Sequence, residues 1–91
     1  MKTIFIKING INDITKFVKH AAEVDGDVIA TKGRFCVDCK SIMGMFSIDT
    51  STGFTVEYPE TATEFESFIM MFKADQISLL LFIKKRRSKN E

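Results

Sequence analysis

Three side chains in this chain of 91 carry an imidazole or a thiol. It has one histidine, His20, and two cysteines, Cys36 and Cys39, in the order Cys-Val-Asp-Cys. A redox pair spelled this way needs a helix N-terminus to gather the sulfurs and lower one thiol pKa. Here Val37 and Cys39 read as one face of a strand, which turns Cys36 to the other face. Strand rise would hold the two Cα atoms roughly 10 Å apart, too far for a disulfide. Zinc would need two further ligands, and no second CxxC or His pair completes the set. Both cysteines are therefore expected to be structural free thiols, with no metal and no cofactor. No carboxylate pair, phosphate-binding glycine loop or Ser/His/Asp set is evident, so enzyme activity is not expected.

Ser41 is the other residue with a legible role. It precedes a short helix, Ile42 to about Ser47, and its hydroxyl can cap a free amide of the first turn. Ile42, Met43, Met45, Phe46 and Ile48 crowd an element too short to hide them all. Met45 and Ile48 are expected in the core. Ile42, Met43 and Phe46 are left as a candidate partner surface, for which methionine is adaptable.

The elements that position these residues follow from periodicity. Residues 2–8 alternate as a strand, with Ile4, Ile6 and Ile8 on one face. Asn9-Gly10 is a turn, after which Asn12 or Asp13 can cap a helix to about Glu23. Its stripe is Ile14, Phe17, Val18, Ala21 and Ala22. Strands over Asp27–Lys32 and Arg34–Cys39 form a hairpin about Lys32-Gly33. Phe54, Val56 and Tyr58 alternate in a further strand, closed by Pro59. Thr61 with Glu64, or Thr63 with Glu66, fits a capping box for a last helix. Its stripe Phe65, Phe68, Ile69, Phe72 extends at helical spacing through Leu79, Leu80 and Ile83 to about Lys85. A separate strand over Ile77–Ile83 is the alternative. The order β-α-β-β-α-β-α implies an α+β open-faced sandwich, a four-stranded antiparallel sheet with helices on one face.

Composition narrows the class. The chain is 45% hydrophobic and 27% charged, with nine Phe, five Met and no Trp, which suits one folded domain. Net charge is +1 but uneven. Residues 84–91 hold five basic side chains against Glu91, while residues 1–83 carry 8 basic and 11 acidic ones. An acidic body argues against nucleic acid as a partner. Ile77–Ile83 is too short to span a membrane. The start shows no leader pattern, so a cytoplasmic location with reduced thiols is expected.

Lys40-Ser41-Ile42-Met43-Gly44, followed by Met45-Phe46-Ser47-Ile48, resembles the second-helix signature of HPr, the histidine-containing phosphocarrier of the bacterial sugar phosphotransferase system. Phe17-Val18-Lys19 and Asn9-Gly10-Ile11 are similar to family segments of the first helix and the active-site loop. The likeness covers residues 2–76. It implies an HPr-like domain over 1–76, followed by a helical extension and basic tail over 77–91. In the family a histidine follows Asn-Gly-Leu; here the matching position is Asn12, no Arg-Pro follows, and the segment before Phe17 is about two residues short. An amide cannot act as a phosphoryl-transfer nucleophile.

The resemblance thus implies a non-catalytic relative, similar to catabolite-repression HPr-like proteins. Its partner would be a phosphotransferase component, an HPr kinase or a transcription regulator. Ser41 matches the serine phosphorylated in some of these proteins, and Ile42, Met43 and Phe46 match docking positions. Two alternatives stand beside this: a working phosphocarrier in sugar transport, using His20 or another group, and an oligomerisation module built on the C-terminal helix.

Overall fold

A computed structural model describes residues 1–73 of the chain. The elements in order are β1 (Lys2–Ile6), α1 (Ile11–Ala22), β2 (Ile29–Lys32), β3 (Phe35–Asp38), α2 (Ile42–Phe46), β4 (Phe54–Tyr58) and α3 (Thr63–Ile69), then a 3₁₀ turn over Met70–Phe72. The four strands form one antiparallel sheet in the order β1-β4-β2-β3. The fold is the α+β open-faced sandwich expected from the element order. Among the described residues, no helix is long and apolar enough to cross a membrane.

The core lies between the sheet and α1, with α2 and α3 packed against α1. Alternation brings Ile6 of β1, Ala30 of β2, and Phe54, Val56 and Tyr58 of β4 to the helix side, all buried. Ile14, Phe17 and Ala21, at helical spacing on α1, meet them. Phe17 has no exposed surface; it sits edge-on to Phe54 at 5.9 Å and 5.8 Å from Phe65 of α3. Ile8 lies just past β1 and is buried too. Its amide donates to the Thr50 carbonyl, and the buried Thr50 hydroxyl donates back to the Ile8 carbonyl.

That anchor changes how α1 begins. The expected cap was Asn12 or Asp13, but Gly10 holds the N-cap position with φ +90°, and Ile14 N donates to its carbonyl. With Ile8 pinned, the chain must turn within Asn9-Gly10, and glycine takes positive φ without a Cβ penalty. Asn12 and Asp13 fall inside the first helical turn. The β2–β3 hairpin turns over Gly33-Arg34, one residue later than expected. Gly33 has φ +59° and Arg34 does not have positive φ, as in a type II′ turn.

Neither expected capping box forms on α3. Its N-cap is Ala62, with no side-chain hydrogen bond. Glu66 instead accepts from the Tyr58 hydroxyl at 2.6 Å and the Lys2 ammonium at 3.0 Å, bonds strengthened by its charge. The helix also stops earlier than its apolar stripe implied. After the 3₁₀ turn, Lys73 is extended and bridges Ile6, and Lys7 N donates to the Phe72 carbonyl. The unpaired edge of β1 thus captures the chain. The expectations for residues 77–91 lie outside the described residues.

Gly53 has φ +105°, and a Cβ there would overlap the Phe5 ring. Gly53→Ala is expected to destabilise by about 2–4 kcal/mol, from backbone strain plus overpacking. Gly33→Ala meets the same backbone strain but faces open space, so it should cost less; urea unfolding compares the two.

The Tyr58–Glu66–Lys2 group makes stability depend on pH from both sides. Burial first, then the bond to Glu66, pushes the Tyr58 phenol up to about 12. The Tyr58 hydroxyl, then Lys2, holds the Glu66 carboxyl below its ordinary value. The depressed Glu66 adds stability above its unfolded pKa, which is lost as pH falls through its folded pKa. The raised Tyr58 adds stability below its unfolded pKa, which is lost as pH rises through about 12. Tyr58→Phe should move the Glu66 carboxyl titration, followed by carbon NMR, upward toward the ordinary carboxylate range.

Candidate functional site

The site is built around the junction from β3 to α2. Asp38 turns the chain: its carbonyl accepts from Ser41 N at 3.0 Å and its carboxylate from Lys40 N at 2.9 Å. Lys40 crosses to the end of α1, where its ammonium donates to the Val24 carbonyl at 2.8 Å. Ser41 takes the N-cap as expected; its hydroxyl accepts from Gly44 N at 3.1 Å. Its carbonyl accepts from Met45 N, closing the first turn.

Helix α2 has only five residues, so it buries a narrow stripe. Met45 is fully buried, and Ile48, just past the helix, packs against the core. The three residues expected to meet a partner stay outside and close together. Met43 is 78% exposed, Phe46 46% and Ile42 37%. Ile42 and Phe46 stand one turn apart, with Met43 beside them.

The other candidates are dispersed. Asn12 is exposed in the first turn of α1, the end of a helix where free amides favour anions, but Asp13 shares that turn. His20 lies at the opposite end of α1 and is engaged there. Its Nδ1–H donates to the Lys16 carbonyl at 2.8 Å, and its ring stacks on Phe68 of α3, centroids 3.7 Å apart and planes within 3°. It borders a cavity of about 310 Å³ that Glu23, Asp25 and Glu64 also line. Three carboxylates make this a poor place for a phosphoryl group. No family model, curated protein or solved structure matches the chain.

Cys36 is exposed and Cys39 buried, with both thiols free. Cys39 lies one residue beyond β3 rather than within it, its amide donating to the Val28 carbonyl. Burial first, then the Asp38 charge, pushes its thiol up to about 12, the opposite of a reactive cysteine. Among the described residues, no three His, Cys, Asp or Glu side chains converge to hold a metal.

Sequence periodicity missed two features. The His20–Phe68 stack joins helices far apart in the chain, which no local spacing encodes. Phe35 shares the parity of half-buried Val37, yet it is 66% exposed. It opens an edge strand, and among the described residues the α2–β4 loop faces it across an open groove of about 490 Å³.

The cap bond gives a direct test. Ser41→Ala removes the acceptor for Gly44 N and should destabilise by about 1 kcal/mol, with faster amide exchange at Met43 and Gly44. Ser41→Asp keeps an acceptor and should recover most of that loss.

Proposed function

We propose that this chain is a non-catalytic, HPr-like protein of the bacterial phosphotransferase system or carbon-catabolite regulation. It acts in the cytoplasm and binds a protein partner through α2, under control of phosphorylation at Ser41. The observation that carries the reading is the exposed cluster Ile42, Met43 and Phe46 on a helix whose other apolar residue, Met45, is buried. The element order and one-sided helical packing agree with the resemblance, as does the serine cap at the start of the second helix.

The chemistry around α1 supports a non-catalytic role. Asn12 has no nucleophile to offer, and His20 is held between the Lys16 carbonyl and the Phe68 ring. Phosphate on Ser41 would add nearly two negative charges beside Ile42 and Met43. The backbone amides of the first turn would receive it, and the nearby Asp38 would oppose it. The result is a change in which partner surface fits the α2 face, achieved without any change of fold.

Mass spectrometry separates the readings. Incubation with phosphoenolpyruvate and the general phosphotransferase enzyme should leave the mass unchanged; an acid-labile gain of one phosphate sinks the non-catalytic reading. An HPr kinase should add one acid-stable phosphate, absent in Ser41→Ala. Met43→Asp should weaken binding to the cognate phosphotransferase components or regulator at least tenfold without altering the urea midpoint.

A further inference from the structure

The groove beside α2 has its own walls and its own charge. One wall is the hairpin turn, with Lys32, Gly33, Arg34 and Phe35; the other is Ser47, Ile48 and Asp49. Phe35 and Ile48 are its apolar surfaces. Ser47 is the C-cap of α2, so the groove adjoins the Phe46 end of the exposed cluster.

Its charges leave a net positive rim, since Lys32 and Arg34 stand with one carboxylate, Asp49, whose charge is partly met by Lys32. Asp49 is turned into its own loop, where its carboxylate accepts from the Ser51 amide at 3.1 Å and the Ser51 hydroxyl at 2.6 Å. Lys32 donates to two neutral acceptors, the Thr52 hydroxyl at 2.6 Å and the Gly53 carbonyl at 2.7 Å. Arg34 stands on the turn, and among the described residues no carboxylate forms an ion pair with it. This basic rim belongs to a body whose acidic groups outnumber its basic ones, and Glu23, Asp25 and Glu64 gather at another cavity.

We infer that this groove is the second half of the α2 docking face and takes an acidic, apolar peptide segment of a partner protein. The inference rests on the reading of α2 as a docking face. One large apolar side chain enters between Phe35 and Ile48, and a carboxylate one or two positions away pairs with the Arg34 guanidinium. Arginine is among the side chains enriched where binding energy concentrates. A basic segment is rejected by like charge at Lys32 and Arg34.

A displayed library of random twelve-residue peptides, selected on the full chain, tests this. The selected sequences should share an aromatic or branched apolar residue flanked by Asp or Glu. A synthetic copy, followed by fluorescence anisotropy, should bind at least tenfold more weakly to Phe35→Ser and to Arg34→Glu, and more weakly as salt rises. Lys16→Glu on α1 should leave binding unchanged, and the urea midpoint of Phe35→Ser should match wild type. Selection of Lys- or Arg-rich peptides, or of none, overturns the inference. So does binding that Phe35→Ser leaves intact. If Met43→Asp abolishes binding while Phe35→Ser does not, the groove assignment fails and the α2 docking face stands. If neither variant matters, both fail. Concentration-dependent self-association lost in Arg34→Glu would make a second copy the occupant and overturn the separate partner.

Discussion

The structure depends first on the burial of Phe17. Its ring touches the sheet through Phe54 and α3 through Phe65, and α1 carries it into the centre of the core. Phe65 in turn meets Tyr58 at the far end of β4, so a chain of rings ties both ends of that strand to the helices. Removing a buried ring of this kind costs roughly 3–5 kcal/mol in comparable cores, a large share of the stability of a small domain. The loops obey the same constraint. Thr50 and Ile8 exchange hydrogen bonds, and Lys32 holds the Thr52–Gly53 turn, so that Phe54 enters β4 in register with Ile6.

With the core filled by α1, β4 and α3, little room is left for α2. Five helical residues place one side chain, Met45, fully inside. The remaining apolar groups of that helix are left outside by geometry. A surface of this kind is retained at a cost in solubility, which is why an exposed apolar cluster is read as a contact surface. Ser41 sits at the hinge between the two roles. Its hydroxyl secures the first turn of the helix, and under the proposed regulation the same oxygen would carry the phosphate.

Charge is sorted along the molecule as well as hydrophobicity. Carboxylates surround the cavity at the end of α1, where His20 is stacked and hydrogen-bonded. Basic groups rim the groove beside α2. The N-terminus of α1, where anions would be stabilised, presents an amide and a carboxylate instead of an imidazole.

Local pattern carried much of this. Alternation in Phe54–Tyr58, the helical stripe Ile14–Phe17–Ala21 and the serine before Ile42 each express a period or cap that neighbouring residues determine among themselves. The sheet class, the element order and the exposed set Ile42, Met43 and Phe46 were legible for that reason. Other features depended on partners distant in sequence. Gly10 displaced Asn12 and Asp13 as cap because Thr50 pins Ile8. Glu66 left both possible capping boxes for Tyr58 and Lys2. The end of α3 was set by the free edge of β1, which takes Lys73 in a bridge that no local spacing announces. The exposure of Phe35 followed from its place on an edge strand that, among the described residues, faces a loop. Periodicity states which face a side chain takes; what stands opposite that face is decided by packing between distant segments, and only the tertiary structure settles it.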